Sequence, residues 1–178
     1  MTLRGPVCNK DLGPCVIVWD PSGDNIEFKQ THGGVIFRYE ELRVGIKRDQ
    51  EGLTDVDEVT TGAVNPELDA PLTEPDLTKL VRCFANSTAA VHSLAVNNPV
   101  GEAVFARARR VIVKPIENGV ISIDPNNWLY IHRAFPRITM EQPYDNAGQR
   151  CTKVTFKGFP DDISGRQRQM WRYGPRIT

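Results

Sequence analysis

The chain of 178 residues balances 22 basic against 22 acidic side chains, so no global field draws it to nucleic acid or to an anionic membrane, and its copies do not repel one another. No apolar stretch approaches the roughly 18 to 20 residues of a membrane helix, whereas 13 prolines and 14 glycines among many short apolar runs point to β structure with frequent turns. The length is that of one domain, with or without a tail, and suffices for a real core.

The first twenty residues lack a basic segment followed by an uninterrupted apolar core, so no secretory signal is read. Residues 1–14 hold Gly5, Pro6, Gly13 and Pro14 among few apolar side chains and read as an extended arm or, equally, as a disordered terminus. Cys15-Val16-Ile17-Val18-Trp19 is a short strand stopped by the turn Asp20-Pro21-Ser22-Gly23, and Ile26 and Phe28 alternate along its return strand. From Gly33 to Lys47 the alternation is longer. Val35, Phe37 and Tyr39 share one side, Arg38 and Glu40 the other, and Leu42, Val44 and Ile46 continue after a phase slip that marks a bulge. This predicts a half-buried strand that projects beyond its own core.

Asp49, Gln50 and Gly52 sit where the chain must turn, inside an acidic segment that also holds Glu51, Asp55, Asp57 and Glu58. A solvated loop is the default reading. A calcium loop is excluded, because Gly52 and Glu58 do not keep the twelve-residue register that an EF-hand requires. Val56 to Thr61 is rich in β-branched residues and reads as the returning strand, bounded by Gly62. A short helix over about 74–85 follows. Thr73 is its expected cap, Pro75 needs no donor in the first turn, and Glu74 and Asp76 put negative charge at the positive end of the dipole. Leu77, Leu80, Val81 and Phe84 give it one apolar face, and it is too short to stand without packing.

Ala85 to Val100 reads as a surface connection containing a short strand or turn. Arg107, Arg109, Arg110 and Lys114 surround Val111 to Val113 and form the strongest basic patch. They either touch phosphate or line the wet side of a strand and pair with an acidic hairpin; the second reading is favoured because no base-stacking aromatics are interleaved with them. Asn118-Gly119 marks a tight hairpin between 111–116 and 120–123. Asp124 to Asn127 is another turn, Trp128 to Ile131 begins a strand, Ala134-Phe135-Pro136 breaks it, and Ile138 to Gln142 resumes. Tyr144 to Gly148 turns into a strand over Cys151 to Lys157. The chain closes on Arg166, Arg168, Arg172 and Arg176 around Trp171 and Tyr173, an arm over 166–178 whose composition fits a protein interface as well as a nucleic-acid contact.

Cys8, Cys15, Cys83 and Cys151 form no C-x-x-C pair and have no histidine at ligand spacing, so no metal or other cofactor is expected. Cys83 reads as a small core hydrophobe, and Cys8 and Cys15 are close enough in sequence to bridge. His32, His92 and His132 lack catalytic partners and read as packed or surface residues.

The ordered set Asp49-Gln50-x-Gly52, Val56-x-x-Val59-x-Thr61-Gly62 and Leu72-x-Glu74 before a short helix resembles the major tail tube proteins of tailed bacteriophages. Downstream, Gly101, the Arg110 to Pro115 strand, Trp128, Ala134-Phe135-Pro136, Tyr144-Asp145-Asn146, Gln149-Arg150 and Val154 to Gly158 continue the likeness, which covers about two thirds of the chain. The resemblance implies a mainly β fold, a sandwich or barrel of two packed antiparallel sheets with one flanking helix and an extended hairpin. It would occupy residues 15–165, between arms at 1–14 and 166–178. It further implies a virion subunit, assembled in the host bacterial cytoplasm, that forms stacked hexameric rings whose lumen conducts DNA during ejection. Its partners would be its own copies and other tail proteins: tape measure, terminator, distal tail or baseplate, and the sheath where a tail contracts. DNA would pass without specific binding, and no membrane is involved. Asp49, Gln50, Gly52, Asp55, Asp57 and Glu58 of the hairpin and Arg168, Trp171 and Arg172 of the C-terminal arm become the expected contacts between subunits.

Two other readings compete. A related distal-tail, tail-completion or secretion-tube subunit has the same fold, and a nucleic-acid-binding β-barrel module would use the basic strand and tail. An enzyme is disfavoured, since the sequence has no Gly-rich phosphate loop, nucleophile elbow or metal cluster.

Overall fold

The computed structural model describes residues 14–29, 34–47, 55–72, 76–90, 93–97, 100–141, 151–162 and 168–175. The fold is mainly β, and its sheets are antiparallel. Strand β1 (Cys15–Trp19) pairs with β2 (Ile26–Phe28) in the expected hairpin, with Ile17 opposite Phe28 and Trp19 opposite Ile26. On its other edge β1 pairs with β9 (Arg109–Glu117), which joins β11 (Leu129–Glu141), β12 (Cys151–Gly158), β6 (Glu67–Leu72) and β3 (Ile36–Arg38) in that order.

The two layers are halves of one hydrogen-bonded sheet that curls over itself. Phe28 at one margin lies with its ring 5.8 Å from that of Phe156, four strands away, and Trp19 meets Phe135 at 6.1 Å and Phe156 at 6.3 Å. Between the layers lie Ile17, Leu68, Val111, Ile131, Val154 and Phe156, all essentially inaccessible. Every residue of β1 is buried, so it is covered on both faces: Ile17 and Trp19 enter the main core, while Val16 and Val18 join Ile112 and Tyr130 in a second cluster.

Helix α1 (Leu77–Cys83) adds Leu80 and Cys83 to the main core at the end where Trp19 lies, tied there by an Arg82–Asp24 ion pair of 3.3 Å. Burial pushes the Cys83 thiol up to about 12, as befits a small core hydrophobe. The cap is Asp76 rather than Thr73, which lies outside the described residues. The Asp76 carboxylate accepts from the Thr78 backbone N–H (2.9 Å) and from Thr78 Oγ1 (2.6 Å), and these bonds hold it below its ordinary value. The helix is correspondingly shorter than the 74–85 expected.

Three other expectations need correction. The segment from Gly33 to Lys47 is two strands: β3 stays in the large sheet, and β4 (Glu41–Lys47) leaves it to pair with β5 (Asp55–Ala63) alone. The change occurs at Tyr39-Glu40, where Tyr39 meets Trp171 edge to face and the Glu40 carbonyl accepts from the Val64 N–H at 2.9 Å. Second, Ala134-Phe135-Pro136 does not break a strand, since β11 runs through it. The irregularity is a register shift between Ile131 and Ala134, and β9 ends opposite Ala134. Pro136 therefore sits on a stretch paired only with β12, where a residue lacking an N–H is tolerated. Third, the expected C-terminal arm contains β13 (Trp171–Tyr173), which pairs with β11 at Leu129 to Ile131.

The Asn118-Gly119 hairpin is present, with both residues at positive φ (53° and 78°), joining β9 to β10 (Val120–Ile121). The surface connection after the helix is a small hairpin of β7 (Ser87–Ala90) and β8 (Ser93–Val96). The expected turn over Tyr144 to Gly148, and residues Cys8, His32 and His92, lie outside the described residues.

Candidate interaction surface

The β4–β5 ribbon is amphipathic in a way that its own chain leaves half-used. The register sets Leu42 opposite Gly62, Val44 opposite Val59 and Ile46 opposite Asp57 on one face. On the other face Arg43 lies opposite Thr60, Gly45 opposite Glu58 and Lys47 opposite Asp55. The polar face is internally paired: Arg43 reaches Glu41 at 3.0 Å and Glu58 at 3.7 Å, and Lys47 reaches Asp55 at 4.0 Å. The apolar face is uncovered, with Val44 56%, Val59 48%, Leu42 47% and Ile46 41% exposed. A two-stranded hairpin is at best marginally stable in water, and exposed ion pairs contribute little. This uncovered apolar face is therefore the first candidate contact surface.

A second uncovered apolar surface lies in the body. One end of the interlayer core is plugged by α1, whereas the opposite end opens as a groove of about 500 Å³. Cys15 of β1, Phe37 of β3, Leu68 of β6, Val113 of β9, Leu129 of β11 and Trp171 of β13 line it. Trp171 is braced where it lines the groove, since its ring meets Phe37 at 5.1 Å and Tyr39 at 5.3 Å, edge to face in both cases. Burial pushes the Cys15 thiol up to about 11, so it lines the groove as a neutral, unreactive group.

The nine residues expected at an interface are thus dispersed. Asp49, Gln50 and Gly52 lie outside the described residues. Asp55 and Glu58 are engaged by Lys47 and Arg43 on the ribbon's wet face, and Asp57 accepts from the Glu58 N–H at 2.8 Å. Trp171 enters the groove, while its neighbour Arg172 points to the opposite face of the sheet and lies 4.2 Å over the Tyr130 ring. Arg168 is exposed, at φ 65°, with its N–H donating to the Asp161 carbonyl at 2.8 Å. Reading the hairpin by its charges overlooked the residues that the structure leaves uncovered. The signal is the spacing of Leu42, Val44 and Ile46, whose alternation predicts a half-buried face.

The basic patch is occupied within the chain. Arg107 donates to the Ala85 carbonyl and lies 5.7 Å over Phe135, Arg109 donates to the carbonyls of Ala106 (2.9 Å) and Ala108 (3.0 Å), and Lys114 sits 4.5 Å over Trp128. The aromatics missing from the local sequence are supplied by distant segments, and they hold the cations down. A further ionic cluster centres on Asp69, only 6% exposed, which accepts from Arg38, from Thr155 Oγ1 at 2.6 Å and from Lys153 at 3.1 Å. Burial alone would raise this carboxyl; the bonds from Thr155, Arg38 and Lys153 outweigh it and hold the group at about 2.

Among the described residues no group of three His, Cys, Asp or Glu side chains converges as a metal site, and no helix is long and apolar enough to cross a membrane. No protein-family model and no curated protein matches the chain.

Proposed function

We propose that this chain is an architectural subunit that polymerises with its own copies, of the tail-tube kind that its sequence motifs resemble. The observation that carries the reading is the β4–β5 ribbon, which presents Leu42, Val44, Ile46 and Val59 to solvent beyond an antiparallel β body. Such a face is stable when a neighbour buries it, and the formal net charge of zero lets identical copies approach. The same contact repeated around a ring closes it, and a second contact along the axis adds length. In this reading six copies form each ring, stacked rings form the tube of a phage tail or of a related tail subunit, and DNA passes through the bore during ejection. A bore lined by acidic and uncharged side chains suits that passage, because each phosphate contact would retard the DNA. The intrachain engagement of Arg107, Arg109 and Lys114 fits a protein that does not hold nucleic acid.

Negative-stain images and sedimentation of the purified protein over a concentration series test this directly. Rings, or ladders of stacked rings, are expected. A chain that stays monomeric at high concentration, and binds oligonucleotides with steep salt dependence, would replace this reading with the nucleic-acid module.

A further inference from the structure

We infer that the groove around Trp171 is the seat for the ribbon of a second copy, so that subunits join head to tail by inserting Leu42, Val44, Ile46 and Val59 between the layers of their neighbour. This inference rests on the architectural reading above and says which surface receives the ribbon. The ribbon face is convex and the groove concave, both are apolar, and both belong to this chain. Within one copy the ribbon face stays exposed and does not cover the groove. Tyr39, at the root of the ribbon, already meets Trp171 edge to face at the groove. From there the strand leads away at about 3.3 Å per residue, which carries Ile46 roughly 20 Å from that root.

The chemistry of the two surfaces matches. Arg43, Lys47, Asp55 and Glu58 pair among themselves on the outer face. Asp57, opposite Ile46 at the end of the ribbon far from Tyr39, is the one charge its apolar face carries among the described residues, held by the Glu58 N–H at 2.8 Å and placed to stay at the rim of the contact. The groove offers a rigid aromatic anchor, Trp171 braced by Phe37, of the kind on which binding energy concentrates. Ribbon-to-ribbon pairing is the competing arrangement. It would be isologous, closing at two copies and leaving the groove unfilled, whereas ribbon-in-groove is heterologous and propagates.

Two variants separate these. Val44→Asp places a charge on an exposed ribbon position and leaves the body intact; Val35→Trp fills the groove at a residue outside the strands. Each alone should raise the concentration needed for assembly by roughly 30-fold or more. Mixed one to one, they should form heterodimers that grow no further, because one contributes a working ribbon and the other a working groove. As a check that reads the contact directly, Val44→Cys combined with Tyr173→Cys, an exposed position lining the groove, should give intercopy disulfides under copper–phenanthroline oxidation, seen on non-reducing gels. Those crosslinks should need both substitutions. Unimpaired assembly by Val35→Trp, or the absence of a crosslink between positions 44 and 173 in assembled material, overturns the inference while leaving the architectural reading in place. A wild-type chain that never assembles overturns both.

Discussion

Strands β1 and β4 carry similar local information and meet opposite fates. In β1 the apolar run Cys15 to Trp19 is buried on both faces, whereas in β4 the alternating Leu42, Val44 and Ile46 remain in water. Both lie in antiparallel ladders, β1 hydrogen-bonded on both edges and β4 on one, with two register shifts. The difference is that β1 lies inside a sheet that curls over it, while β4 has only β5 beside it and nothing within the described residues above its apolar face. Alternation in a sequence says that a face exists; a second layer decides whether it is covered.

The largest effect is expected in the covered region. Phe156 touches both Trp19 and Phe28 across the core, and Phe156→Ala should lower unfolding free energy by about 3–5 kcal/mol, measured by denaturant titration. If the loss is below 1 kcal/mol, the layers do not pack as described. Gly158→Ala comes next. Its Cβ would lie 2.6 Å from Pro66 Cγ and 2.9 Å from Ile131 Cγ2, a stiff ring and a β-branched side chain, so about 2–3 kcal/mol should be lost.

Asp69 supplies a pH-dependent test of the same body. Its folded value of about 2 lies below the roughly 3.9 of an unfolded aspartate. The folded state therefore binds the proton less readily, and the carboxylate's contribution is complete above about pH 4 to 5 and lost as pH falls through about 2. It amounts to about 2 kcal/mol. Thermal melts of the wild type should fall across that window more steeply than those of Asp69→Asn; parallel curves would show that the cluster contributes nothing. In the uncovered region the expected changes to the monomer are smallest. Arg43→Ala should leave its denaturation midpoint essentially unchanged, and Val44→Ser should alter its stability by about 0.5 kcal/mol or less. Val44→Ser should nevertheless weaken assembly strongly, read by sedimentation. A ribbon variant that destabilised the isolated chain as much as Phe156→Ala would mean that the apolar face is covered within one copy.

Much of the fold was legible in the sequence because its signals are local. Asn118-Gly119 turns the chain with two positive φ values whatever surrounds it, the period of two over Val35 to Tyr39 assigns Phe37 inward, and the apolar side of α1 places Cys83 in the core. Of the candidate site, Trp171 was recognisable as an aromatic beside arginines, though not as the floor of a groove. The rest depended on contacts distant in sequence. Pro136 interrupts nothing because β9 has already ended beside it, Trp171 belongs to the sheet because Leu129 to Ile131 offer a free edge, and Lys114 and Arg107 are restrained because Trp128 and Phe135 lie beneath them. By itself the sequence determined where the chain turns and which side chains share a face, since both follow from the stereochemistry of a few neighbouring residues. Only the tertiary structure decided which faces are covered and which stay in water, because coverage is a property of layers that meet across more than a hundred residues of chain.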